Sequence, residues 1–328
     1  MLILRNLEQL PGDWGATVVS IGNFDGVHRA HQHVLAQVAE RARALHARSM
    51  AVTFDPHPLR VLRPESAPLL ITPTDEKIAA LAQTKVDAIL VLPFDKTFAA
   101  LSAREFVQTI LVDRLRVKEV HEGLTFHFGH KAQGDCENLK EFGREFGFEV
   151  VVYPEMRLHG DTVSSSRVRQ LLLEGNLSRA RQLLGRPFSI LSTPAKGRGY
   201  GSRYTVPTIN LAPYFELVPT NGVYVTCTRV AGETFESVTN VGTRPTFSGE
   251  SFAIETHLLN FHPLTLGEET EIEIVFLKWL RPEIKWPNPE ALREQIGKDV
   301  KRAKRFFALL PSVETEHAAS PGGGNQTS

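Results

Sequence analysis

Only two cysteines, Cys136 and Cys227, occur in 328 residues. That is too few for a disulfide scaffold, and both are read as free thiols in a reducing compartment. Neither sign of charge is in excess, with 37 Lys and Arg against 37 Asp and Glu. Without a net positive field to gather phosphate backbones, a dedicated nucleic-acid binder is disfavoured, while local basic sites for small phosphates stay open. No stretch approaches the ~18 uninterrupted apolar residues of a membrane span. Charges break the short apolar start at Met1–Glu8, which is read as neither signal peptide nor anchor. Walker A spacing, the Rossmann glycine fingerprint and internal repeats are all missing. The expectation is a cytoplasmic protein without membrane association.

What is present is ordinary globular composition, 42% hydrophobic and 23% charged, in a chain long enough for two domains. Short apolar runs at 16–21, 50–54, 88–92, 118–121 and 150–153 read as strands. Between the first two, Ala30, Val34, Val38, Ala42 and Leu45 recur at near-helical spacing. Further helices are expected at 75–84, 103–114, 137–146, 166–174 and 177–184. Strands separated by helices imply right-handed crossovers and a mainly parallel sheet, whose ligands bind beyond the strands' carboxyl ends.

After Gly185-Arg-Pro187 the texture changes. The segments 188–192, 222–229, 233–241, 252–260 and 271–276 are rich in β-branched and aromatic residues and read as an antiparallel barrel or sandwich. A terminal helix at 289–307 carries Leu292, Ile296, Val300, Ala303 and Phe307 on one side. The domains are therefore set at 1–185 and 186–310, followed by a small, polar tail at 311–328 expected to be disordered.

The segment Ile21-Gly-Asn-Phe-Asp-Gly-Val-His-Arg-Ala-His31 follows the first strand and opens the first helix. Gly22 and Gly26 let backbone approach a phosphate, and the helix start offers unpaired amides. His28 and His31, three apart, share a face and suit a phosphate whose charge grows during attack. In isolation such a pair is also compatible with surface polarity or metal ligation. Downstream, Ser164, Ser165 and Ser166 precede a helix beside Arg167 and Arg169. One serine serves as helix cap, and the remainder form a second anion cradle, chiefly Ser165, Ser166 and Arg169.

The G-N-F-D-G-V-H-x-x-H block resembles the signature of the prokaryotic bifunctional riboflavin kinase/FMN adenylyltransferases. Thr53-Phe-Asp-Pro-His-Pro58, Phe94–Phe98 with Leu101–Phe106, and Val163–Arg169 resemble that family's following blocks, in order. The resemblance covers about residues 15–308. It implies a nucleotidyltransferase-like domain that adenylates FMN, with Gly22, Phe24 and Gly26 at the nucleotide and Ser165, Ser166 and Arg169 on the leaving pyrophosphate. Two departures stand out. Ala30 replaces the usual glycine, and Thr125 stands where the family carries aspartate or asparagine, so flavin contact at Thr125 has shorter reach and no charge.

In the second half, Pro194–Arg203 alternates glycine with basic and aromatic residues, and Gly197 and Gly199 are candidates for ATP contact. Val206-Pro-Thr-Ile-Asn-Leu211 resembles the family's kinase signature, with Thr205, Val206 and Ile209 as departures. Thr208 and Asn210 point to one side of an extended segment, and their oxygens suit magnesium. The resemblance places Arg244 near flavin and Glu255 at the base that activates the ribityl hydroxyl. Leu266 replaces a tyrosine. Together these imply Mg2+, with ATP, riboflavin and FMN as substrates and FAD as product, in a monomer or weak homo-oligomer. An adenylyltransferase with a merely structural barrel, or a nucleotide-binding pseudoenzyme, are the alternatives. The intact His28, His31, Thr208, Asn210 and Glu255 argue against the last.

Overall fold

A computed structural model describes residues 1–195, 203–204, 207–246, 249–284 and 287–309, with the backbone alone at 203, 204, 243–246 and 249–251. Contacts divide the chain into two compact units, Met1–Ser165 and Ser166–Ser328. The division falls earlier than residue 185 because the helix Leu177–Leu184 packs on strands of the second unit.

The first unit holds β1 (Leu2–Leu4), β2 (Thr17–Ile21), β3 (Arg48–Asp55), β4 (Ala88–Pro93), β5 (Val117–Gly123) and β6 (Glu149–Tyr153). All pair in parallel in the order β1-β4-β3-β2-β5-β6. From β2 the chain steps outward to β3 and β4, then returns to β5 and β6 on the other side. The carboxyl ends of β2 and β5 therefore frame the switch point where such sheets bind ligands. Helices α1 (Arg29–Ala44), α2 (Thr74–Ala82) and α3 (Cys136–Phe146) connect β2 to β3, β3 to β4 and β5 to β6. Burial on both faces explains the apolar run of β4 and the complete burial of β2.

Three details depart from the sequence pattern. The start of the chain contributes an edge strand, β1, with Leu4 in the core. In α1 the buried residues are Leu35, Val38 and Ala42, whereas Leu45 is exposed. The helix expected at 103–114 begins as a short α-helix at Ala103–Glu105 and widens into a π-helix over Phe106–Arg114. Its closing bond runs from Leu115 N–H to the Ile110 carbonyl, five residues back. That wider turn brings Val107, Leu111 and Leu115 into the core together.

The second unit opens with α4 (Ser165–Leu173, whose first residue belongs to the first unit) and α5 (Leu177–Leu184). Its strands are β7 (Phe188–Ser192), β8 (Thr208–Asn210), β9 (Gly222–Val230), β10 (Glu233–Thr246), β11 (Gly249–Leu258) and β12 (Ile272–Arg281). They form an antiparallel sheet in the order β8-β11-β10-β9-β12-β7. Its edges meet where Ala195 N–H donates to Asn210 O (2.9 Å) and Ala212 N–H to Thr193 O (2.8 Å), curling the sheet toward a barrel. Alternation divides the side chains. Val223, Val225, Cys227, Val238 and Val275 meet Ala303 and Phe307 of α6 (Pro289–Ala308), while Tyr224, Ile274 and Phe276 fill the opposite face.

The terminal helix packs differently from its sequence pattern. Leu292 and Ile296 are exposed, and the buried positions are Asp299, Ala303 and Phe307. Asp299 is held by Arg281 at 2.8 Å, so the contact stripe is anchored by an ion pair instead of a continuous apolar row.

Gly129, in the β5–α3 connection, has φ +75°, and a Cβ there would lie 2.6 Å from Ala103 N. Gly129→Ala is expected to destabilise the protein by about 1–3 kcal/mol through overpacking and strain. Urea unfolding followed by far-UV circular dichroism checks this, and an unchanged midpoint would contradict it.

Candidate active sites

The turn after β2 is fixed by a buried carboxylate. Asp25 accepts hydrogen bonds from Ile71 N–H (2.9 Å) and Thr72 N–H (3.0 Å), and Gly26 N–H donates to Thr72 Oγ1 at 2.8 Å. Gly22 N–H donates to Val52 O at 2.9 Å. The amides of Gly22 and Gly26 are thus both engaged within the fold. Gly26 is needed for its φ of +82°, and a Cβ added at Gly22 would lie 3.4 Å from the Phe24 ring. The Phe24 side chain is buried with Val27 and Leu35, and its ring meets His31 edge-on at 5.1 Å. That contact packs the Phe24 ring against an imidazole.

His28 is the N-cap of α1, and its Nδ1 accepts from His31 N–H at 3.4 Å. With Nδ1 as acceptor, the proton of the neutral ring sits on Nε2, which makes that atom a donor. The two rings stack at 3.6 Å and 16°. Burial, with His28 beside it, pushes the pKa of His31 well below the usual histidine value. Its Nδ1 is shielded and meets no hydrogen-bond partner among the described residues. Two stacked imidazoles, with His31 held toward its neutral form by burial, are suited to stabilising charge that appears only during reaction.

Ser165 Oγ donates to the Asp25 carbonyl at 2.8 Å, tying the start of α4 to this turn. Its hydroxyl proton is therefore directed at backbone. Ser166 and Arg169 lie in the first two turns of α4, within the second unit.

Beside the histidine turn a cavity of about 1010 Å3 opens past the ends of β2, β3, β4 and β5. Phe54, Phe94, Phe98, Phe106, Phe126 and Phe128 line it, with neighbouring centroids 5.4–6.1 Å apart. Thr125, Gly22 and Asn23 also reach its wall, and Lys96, Arg63 and Lys131 supply cations. Such a box accepts a large planar aromatic group with an anionic end. Within the first unit, the sequence pointed only to Thr125 as a flavin contact. The missed signal was the recurrence of phenylalanine in three motif blocks whose strand ends converge. Lys77 was also missed. It is buried on α2, donates to Phe54 O at 3.1 Å, and its pKa is lowered by burial.

In the second unit, register assembles the other site. Thr208 lies opposite His257, Ile209 opposite Thr256 and Asn210 opposite Glu255, while Glu255 is also opposite Asn240. Asn210, Glu255 and Asn240 therefore form one row across β8, β11 and β10. Ile209 and Thr256 are fully buried on the other face, so Thr208 and Asn210 do share a side, as the spacing predicts. Thr208 Oγ1 is 3.1 Å from His257 Nδ1, and burial lowers the His257 pKa. Asn240 and His257 had not been singled out. Behind the row, Thr226, Thr228, Ser237, Thr239 and Thr256 form a buried hydroxyl network with contacts of 2.7–2.9 Å. Arg244 lies on β10 by its backbone. Gly197, Gly199, Thr205 and Val206 fall outside the described residues.

The two units match two family models, FAD synthetase over residues 11–167 and riboflavin kinase over 184–307. The chain belongs to the bifunctional riboflavin kinase/FMN adenylyltransferase family. Relatives of that name include those of Escherichia coli K12 (36% identical, covering 93% of this chain and 97% of the relative) and Pseudomonas fluorescens (37%, 94% and 98%). The Haemophilus influenzae relative is 35% identical over 94% of this chain and 99% of its own length. Among solved structures, one described as a macrolide-efflux protein from Streptococcus pneumoniae is similar, with a TM-score of 0.79 and 26% identity. The match covers 92% of this chain and 98% of that one. No helix among the described residues is long and apolar enough to cross a membrane.

Beneath the first site, the Glu122 carboxyl accepts from Ile21 N–H at 2.6 Å, and burial raises its pKa well above the ordinary glutamate value. The folded state thus holds a proton that the unfolded chain releases above its ordinary pKa of 4.5. This group's stabilising contribution is full at low pH and is lost as pH rises toward the folded pKa. Glu122→Gln, which resembles the protonated acid, is expected to raise the melting temperature at pH 8. The gain should shrink toward zero as pH approaches 4.5. Calorimetric scans across pH check the trend, and a constant offset would refute it.

Proposed function

We propose that the chain transfers the γ-phosphoryl group of ATP to riboflavin, giving FMN and ADP. It then transfers AMP from a second ATP to FMN, giving FAD and pyrophosphate. Residues 1–185 are assigned to adenylylation, 186–310 to phosphorylation and 311–328 to a tail. The observation that carries this reading is that each unit has its own chemical constellation: stacked histidines at a parallel switch point, and Glu255 framed by Asn210 and Asn240.

In adenylylation, the FMN phosphate attacks the α-phosphorus of ATP, and Nε2–H of His28 donates to the oxygen whose negative charge grows. The isoalloxazine ring fits the phenylalanine-lined cavity beside Thr125. Ser165, Ser166 and Arg169 are assigned to pyrophosphate, and Gly22, Phe24 and Gly26 shape the nucleotide turn through backbone and packing. In phosphorylation, Glu255 takes the proton of the ribityl 5′-hydroxyl as it attacks the γ-phosphorus. Gly197 and Gly199 are assigned to ATP and Arg244 to flavin.

Thr208 and Asn210, two neutral oxygen donors on one face, fit a magnesium ion that draws most of its ligands from ATP and water. Such an ion neutralises charge on the phosphates. Free Cys136 and Cys227, both buried, accord with a reducing cytoplasm. The protein is expected to act there on free flavins and nucleotides, as a monomer or weak homo-oligomer.

Purified protein given riboflavin, ATP and magnesium should yield FMN and FAD by chromatography. His28→Asn keeps a capping acceptor but deletes the Nε2–H donor. It should lower FAD formation by about 10²–10³-fold and leave FMN formation intact. Glu255→Gln should do the reverse, lowering FMN formation by about 10²–10⁴-fold. Parallel loss of both products in either variant would defeat the assignment of two independent sites.

A further inference from the structure

Thr208 and His257 face each other as a directly opposed pair on β8 and β11, with Oγ1 and Nδ1 3.1 Å apart. They lie on the same face as Asn210 and Glu255, one row away. A hydroxyl that lends its oxygen to a cation must aim its hydrogen elsewhere, because the O–H dipole otherwise points positive end to positive charge. Threonine's β-branching restricts the direction of its Cβ–Oγ1 bond but leaves the hydroxyl rotor free. A neutral imidazole has one acceptor nitrogen, and a hydrogen bond from Thr208 to Nδ1 removes that remaining freedom.

We propose, resting on the assignment of Thr208 as a magnesium ligand, that His257 is a positioning residue of the kinase site. Its Nδ1 accepts the Thr208 hydroxyl hydrogen and so turns the Oγ1 lone pairs toward the cation that accompanies ATP. Outer partners of this kind contribute about 10–100-fold to metal affinity elsewhere.

The test uses the full-length protein with riboflavin and ADP present and Mn2+ as the probe, bound ion being counted by electron paramagnetic resonance. Thr208→Val marks which bound Mn2+ belongs to this site. His257→Leu, which removes the acceptor at similar bulk, should weaken that Thr208-dependent Mn2+ by about tenfold or more. It should raise the Mg2+ needed for half-maximal FMN formation by the same factor, with an unchanged KM for riboflavin. His257→Asn carries an acceptor oxygen near the former Nδ1 and should recover most of the affinity. An unaltered urea unfolding midpoint, together with the unchanged KM for riboflavin, reports an intact second unit in both variants.

Mn2+ affinity unchanged in His257→Leu, or no better in His257→Asn than in His257→Leu, overturns the inference while leaving Thr208 as a ligand. If Thr208→Val removes no bound Mn2+, the ligand assignment fails and the inference falls with it.

Discussion

The carboxylate of Asp25, sealed inside the first unit, is the constraint on which the nucleotide site depends. By accepting the amides of Ile71 and Thr72, it pins the turn after β2 to the segment leading into α2. Thr72 Oγ1 answers by accepting from Gly26, whose positive φ lets the chain reverse immediately before the helix. His28 then arrives at the N-cap and His31 one turn later, and their stacking follows from that placement. Through its carbonyl, Asp25 also receives Ser165. One buried residue thereby joins three segments distant in sequence.

The second unit reaches comparable precision by register instead of charge. Glu255 is useful only if β11 lies between β8 and β10 with no slip, since a one-residue shift would turn it to the other face. Behind it, five buried hydroxyls satisfy one another among β9, β10 and β11. Each shifted register would leave some of them without partners in an apolar interior, a cost of about 1–3 kcal/mol per group. An apolar layer would tolerate slippage better. The polar layer thus serves the geometry of the outer face.

Much of this organisation was legible in the chain. Strand ends before G-N-F-D-G and before the phenylalanine-rich blocks, the change of texture after Pro187, and the two-residue spacing of Thr208 and Asn210 are local features. Physical chemistry connects them to structure over a few residues. The wrong details were those in which local pattern and tertiary demand diverge. Leu292 and Ile296 match the apolar period of α6, yet the sheet takes Asp299, because Arg281 is there to neutralise it.

By itself the sequence determined the two kinds of sheet, the order of their elements and the imidazoles at a strand-to-helix turn, because periodicity and turn chemistry act between near neighbours. Only the tertiary structure decided that six phenylalanines share one cavity, that His257 meets Thr208, and that Asn240 flanks Glu255. These are contacts across strands joined by long connections. Their identity depends on sheet order and register, which chain packing selects and local spacing does not encode.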